Sequence, residues 1–173
     1  QQDSYMRILC VDIGNTFGKL IIYDTKTRSY SNFTRTKRIK QDVESIFRKS
    51  GEIQFVVVSS TVPVAHDQVE SVANEFKVDT IKLNHKIIIK WLPKFTVAYD
   101  VNKLGSDRLI AAGGAFMFLT DNELNAKDDH HVEAVIVVDA GTAVNVEVIR
   151  LDKGYIGGSI SPGFRLMKSA LSR

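Results

Sequence analysis

The chain has 173 residues, 44% of them hydrophobic and 25% charged, the proportions of an ordinary globular protein with enough length to bury a core. No apolar run approaches the roughly 20 residues a helix needs to cross a bilayer, so a helical membrane protein is not expected. The 23 basic and 20 acidic residues leave a formal charge of +3, its basic part concentrated in Arg35, Lys37, Arg38 and Lys40. With no nucleic-acid motif beside it, this cluster is read as the solvated end of a hairpin or loop.

Gln1 to Tyr5 read as a tail ahead of a start at Met6, without the features of a secretory signal. Arg7 to Ile13 is a continuous apolar stretch ended by Gly14-Asn15, the pattern of a central strand entering a tight turn. It holds the only cysteine, Cys10, which has no partner for an internal disulfide and points to a reducing cytoplasm and an inert, buried thiol. Lys19 to Tyr23 is a second strand, and the gap is short enough for a hairpin only. Tyr30 to Thr36 supplies a third, antiparallel strand.

Asp42 to Phe47 has helical spacing, Phe55 to Val58 reads as a strand buried on both faces, and Ser59 to Pro63 as a loop. Val69, Val72, Ala73 and Phe76 fall on one helical face, and Val78 to Leu83 returns to strand character. Ile87 to Phe95 is expected to form a short edge strand and loop. A helix over Leu109 to Leu119 contains Gly113-Gly114, which close packing against another backbone would explain. Asp121 to His131 is read as a surface loop, its His130-His131 pair lacking the spaced partners of a metal site.

The opening pattern then returns. Ala134 to Asp139 is an apolar strand ending in Asp, followed by Gly141-Thr142 and a second strand, Val144 to Ile149. A third strand, Tyr155 to Ile160, leads through Ser161-Pro162-Gly163 into an amphipathic segment from Phe164. That segment still runs at Arg173, which predicts a chain that continues.

Four elements carry chemistry. In Asp12-Ile13-Gly14-Asn15-Thr16, glycine lets backbone approach a ligand, Asn and Thr offer polar groups to phosphate oxygens, and a strand-end carboxylate suits Mg²⁺. The alternative is an aspartate capping local backbone N–H groups. Asp139-Ala140-Gly141-Thr142-Ala143 repeats the arrangement, and two such turns facing each other would grip nucleotide phosphates. In Leu104-Gly105-Ser106-Asp107-Arg108 a carboxylate able to accept a hydroxyl proton adjoins a guanidinium able to hold an anion; alone, this would be an N-cap with a surface ion pair. In Gly157-Gly158-Ser159-Ile160-Ser161-Pro162-Gly163 glycines let backbone approach a ligand ahead of a helix N-terminus.

In this order, the motifs resemble the type III pantothenate kinases, members of the actin/Hsp70/hexokinase superfamily. The family's D-x-G-N-T appears as Asp12 to Thr16, its Y-(x)n-G-x-D-R as Tyr99 to Arg108, its D-x-G-T-A as Asp139 to Ala143 and its G-G-x-I-x-P-G as Gly157 to Gly163. Ser59 to Pro63 is similar to its S-x-V-P loop.

The resemblance implies an α/β fold: a ribonuclease-H-like (actin-like ATPase) lobe with a mixed sheet over residues 1–120, and the beginning of a second, similar lobe over 134–173. It implies ATP-dependent phosphorylation of pantothenate at its primary hydroxyl, the first step toward coenzyme A, in a cytoplasmic homodimer. Asp107 would be the general base, with Tyr99, Gly105, Ser106, Arg108 and Gly158 at the pantothenate pocket. Asp12, Gly14, Asn15, Thr16, Lys19, Gly141 and Thr142 would serve ATP and its phosphates. Asp12 would serve Mg²⁺, and Asp139 a monovalent cation, K⁺ or NH₄⁺.

This sequence departs from the family after Ala143. The family continues x-T-x-D where this chain has Val144-Asn145-Val146-Glu147, and it has Asn where Ala111 or Ala112 stands. The Asn145 and Glu147 changes favour a second reading, a catalytically weak relative acting as a regulatory or binding protein with a transcription-associated role through the basic cluster. The retained Asp12, Asp107, Arg108 and Asp139 favour the enzyme. The G-x-D-R segment points away from another sugar or acid kinase of the superfamily.

Overall fold

In the computed structural model, residues 5–92, 94–98, 100–125 and 133–172 are described. The chain divides into two compact units, residues 1–83 and 84–173. Among the described residues no helix is long and apolar enough to cross a membrane.

The first unit follows from its apolar alternation. In β1 (Arg7–Ile13) and β2 (Gly18–Asp24), Leu9, Val11, Ile13, Leu20 and Ile22 are buried on one face. The turn between the two strands leaves Asp12 opposite Lys19, and β3 (Ser29–Thr36) adds an antiparallel neighbour. Helix α1 (Ile39–Lys49) then carries the chain across, so that β4 (Phe55–Ser60) pairs parallel to β1. A second crossover through α2 (Pro63–Glu75), with Pro63 in its first turn, places β5 (Asp79–Lys82) parallel to β4. The five-stranded order is β3-β2-β1-β4-β5, the mixed sheet of a ribonuclease-H-like lobe with β1 at its centre.

Ile39, Val43 and Ile46 of α1 and Val69, Val72 and Ala73 of α2 close the core over the sheet. Phe47 and Phe76 stack at 4.8 Å between the two helices. Val56 and Val58 of β4 are fully buried while Phe55 and Val57 are half-buried, so this strand is sealed on one face and partly covered on the other, not buried on both. Cys10 is half-buried, and burial pushes its thiol above the ordinary value, which keeps it a poor nucleophile.

The second unit begins with α3 (His85–Trp91), where a short edge strand was expected. The Asn84 side chain accepts from the Ile87 N–H at 3.1 Å, and this N-cap turns an apolar run that lacks a clear period into a helix. After a short 3₁₀ turn (Val101–Lys103), α4 (Ser106–Asn125) runs on through part of the segment expected to be a loop, with no Gly or Pro to stop it; His130-His131 lies outside the described residues.

Leu109, Ala112, Phe116 and Leu119 form the buried stripe of α4. They share a core with Ile149 and Tyr155 from an antiparallel meander of β6 (Ala134–Ala140), β7 (Ala143–Arg150) and β8 (Gly154–Pro162), which α5 (Phe164–Leu171) follows. Residues 84–120, expected with the first lobe, thus fall in the second unit. Gly113 is needed for a side chain rather than a backbone: a Cβ there would lie 2.9 Å from Leu92 Cδ1, while Gly114 faces open space.

Gly154 has a φ of +68°, and a Cβ on it would lie 2.3 Å from the Thr96 carbonyl oxygen. Tyr155 N–H donates to that same carbonyl at 2.8 Å, and Ala98 N–H donates to Tyr155 O at 3.1 Å. Gly154→Ala is therefore expected to cost about 2–4 kcal/mol, because both the left-handed backbone and the close strand approach oppose a methyl group. A thermal melt overlapping that of the parent would refute this.

Candidate functional site

The first turn of α4 brings the principal candidates together. Asp107 and Arg108 line a pocket with Ala111, Val137, Asp139, Asn145 and Glu147, drawn from α4, β6 and β7. The register explains the gathering: Val137 pairs with Glu147 and Asp139 with Asn145, so alternate residues of both strands point toward α4. Asp107 is half-buried, and its Oδ1 sits 2.5 Å from where a Cβ on Gly105 would be. Gly105 thus gives the carboxylate room to fold back over the helix start. Ser106 is the first residue of α4.

Arg108 is not in the surface ion pair that its position alone would suggest. Its Nε donates to Glu147 Oε1 at 2.5 Å and its Nη2 to Glu147 Oε2 at 2.9 Å, a two-pronged pair with Glu147 only 1% exposed. The hydroxyl of fully buried Tyr155 donates to the same Oε2 at 2.5 Å and lies 3.3 Å from Arg108 Nη2. Oriented in this way, Arg108 lines the same pocket as Asp107, with its charge balanced by Glu147. Sequence reasoning singled out Glu147 only as a departure and missed Tyr155; the legible signal was a lone carboxylate within the apolar run Val146 to Ile149.

Gly158 packs closely against the ion pair. A Cβ there would lie 2.3 Å from Glu147 Oε2, 3.0 Å from Arg108 Nη2 and 2.2 Å from the Val146 carbonyl oxygen. The glycine makes room for the ion pair, and the backbone approach it permits is to β7. Its neighbour Gly157 has a φ of +149°, favourable only to glycine, with open space beside it. Asn145, 9% exposed, has a buried Oδ1 without a hydrogen-bond partner.

Gly141 and Thr142 occupy the turn between β6 and β7, where Gly141 N–H donates to the Ala143 carbonyl at 2.8 Å. Gly163, the N-cap of α5, packs against this turn: its N–H donates to Thr142 O at 2.9 Å, and a Cβ on it would lie 2.3 Å from Gly141 O.

The remaining candidates belong to the first unit. Gly14 N–H donates to Phe17 O at 3.1 Å, closing the turn that exposes Asn15 and Thr16. Asp12 is not buried at its strand end: its side chain is 51% exposed, and Lys19 Nζ lies 3.5 Å away. Such a pair in solvent is weak and readily rearranged around a ligand. Tyr99 lies outside the described residues.

A family model described as type III pantothenate kinase matches residues 8–173. The type III pantothenate kinase of Flavobacterium johnsoniae is 30% identical over 166 residues, covering 95% of this chain and 61% of that protein. That of Flavobacterium psychrophilum is 28% identical over 161 residues, covering 92% and 59%. The chain therefore spans about three fifths of the length of the curated relatives it matches. Among solved structures, the Aquifex aeolicus member of the Ppx/GppA protein family aligns with a TM-score of 0.42 at 16% identity, covering 96% of this chain and 54% of that one.

Proposed function

This chain belongs to the type III pantothenate kinase family, and on that premise we propose that the protein transfers the γ-phosphoryl group of ATP to the primary hydroxyl of pantothenate. The observation that carries the reading is the pocket at the start of α4, lined by Asp107 together with Arg108, whose guanidinium buried groups hold in place. Phosphoryl transfer asks little more of a protein than placement, charge on the phosphoryl oxygens and an acceptor for the hydroxyl proton. Asp107 takes that proton as the hydroxyl oxygen bonds to phosphorus and the bond to the β-phosphate oxygen breaks, releasing ADP.

Arg108, with Gly105, Ser106, Gly158 and Tyr99, serves the acceptor. The two polar turns, Asp12 to Thr16 with Lys19, and Asp139 to Thr142, serve the phosphates. Asp12 and Asp139 offer only oxygen donors, and both are exposed, which fits hard cations: Mg²⁺ at Asp12 and K⁺ or NH₄⁺ at Asp139. Mg²⁺ supplies charge neutralisation at the phosphate oxygens. The working form is a cytoplasmic homodimer, in keeping with the family resemblance and with a lone, half-buried cysteine.

One observation favours the second reading, a relative that turns over poorly and acts as a regulatory or binding protein. Arg108 uses its Nε and Nη2 on Glu147, a residue one methylene longer than the aspartate of the family pattern. A coupled ADP-release assay with ATP, Mg²⁺ and potassium separates the two. ADP release that depends on pantothenate supports the kinase; silence from a folded full-length protein supports the weak relative.

A further inference from the structure

Phe17 is the one bulky residue of the first turn, and it is half-buried next to three polar or glycine neighbours. Arg35 Cζ lies 3.9 Å over its ring centroid and Lys37 Nζ 5.2 Å from it. Both distances are those of a cation held by an aromatic face. In the strand register Lys19 pairs with Arg35, and Asp12 pairs with Lys19. Three cations and one carboxylate are thus gathered at one end of one sheet face, beside the exposed Asn15 and Thr16.

Among the described residues no carboxylate forms an ion pair with Arg35 or Lys37, although both are exposed. Two like charges held on one ring repel each other, and an anion relieves that repulsion. A guanidinium held over a ring does not spend its N–H groups on that contact, and Arg35 is exposed, so these groups, which grip phosphate oxygens in pairs, remain available.

We propose that Arg35 and Lys37, aligned on Phe17, form the cationic wall of a polyphosphate subsite at the Gly14–Phe17 turn, and that its occupant is the phosphate chain of a nucleoside triphosphate. This deepens the kinase reading and rests on it for the identity of the nucleotide. Phe17 is a positioning residue: it acts through the two cations. The basic cluster thereby has a partner other than nucleic acid.

The test is calorimetric titration of the full-length protein with inorganic tripolyphosphate and with MgATP. Arg35→Gln and Lys37→Gln are each expected to weaken tripolyphosphate binding about tenfold. Phe17→Leu is expected to weaken it about threefold and Phe17→Tyr to restore it, because tyrosine keeps the aromatic face. Pantothenate affinity should not move in any variant.

Unchanged tripolyphosphate binding in Arg35→Gln and Lys37→Gln would overturn the proposal, as would equal loss in Phe17→Leu and Phe17→Tyr. So would binding of a single-stranded oligonucleotide that Arg35→Gln abolishes while tripolyphosphate affinity stays. If the ADP-release assay is silent yet these variants lose tripolyphosphate, the subsite stands and the kinase reading falls.

Discussion

Replacing Asp107 with asparagine is expected to lower pantothenate-dependent ADP release by about 10²–10⁴-fold while leaving the affinities for ATP and pantothenate within a few-fold of the parent. The expectation follows from position and chemistry together. Asp107 is in the first turn of α4, half-buried, and lines the same pocket as Arg108, whose guanidinium Glu147 and Tyr155 hold. Asparagine keeps the size and one acceptor oxygen, but it cannot take a proton. A fall in kcat with KM unchanged is the signature of a group that acts in the transition state alone. If turnover stays within tenfold of the parent, Asp107 is not the base, and Asp139, a carboxylate of the same pocket outside the Arg108–Glu147 pair, becomes the one to replace.

The first unit was largely legible in the sequence because its signals are local. A short turn between two apolar runs admits only a hairpin, and the strand-helix-strand spacing that follows admits a parallel crossover. The second unit was less so. The run Ile87 to Ile89 fits strand or helix equally, and what decides it is the Asn84 cap, a single side chain. The partner of α4 is not written in α4: its buried stripe would fit either sheet, and only tertiary structure assigns it to β6–β8.

At the candidate site, the motif residues stood out because their glycines and aspartates sit at strand ends or a helix start, where ordinary folding does not require them. The support beneath them was hidden by distance along the chain. Arg108 and Glu147 are 39 residues apart, and neither residue announces the other. The close approach that Gly158 permits within the chain, to the Glu147 carboxylate, was likewise not legible.

The second large effect is expected at that support. Glu147→Ala should destabilise the protein by about 3–5 kcal/mol, since it leaves the guanidinium of Arg108 and the hydroxyl of Tyr155 facing an emptied, desolvated space. For a chain of this length that is a fall in melting temperature on the order of 6–20 °C. Truncating only the acid, however, measures the cost of a stranded charge rather than the worth of the pair. Replacing both partners, Arg108→Met with Glu147→Leu, removes the charge together with its counterpart and should recover most of the lost stability. It should not recover turnover, because the group beside Asp107 is gone. Glu147→Asp separates reach from charge: the acid is kept but withdrawn by one methylene, so the two-pronged contact should reduce to one and the loss should be about half that of alanine. Equal melting temperatures for Glu147→Ala and the parent would mean that solvent already screens this pair, contrary to its burial. A double variant as unstable as the sum of the two single ones would mean that Arg108 and Glu147 are neighbours without being partners.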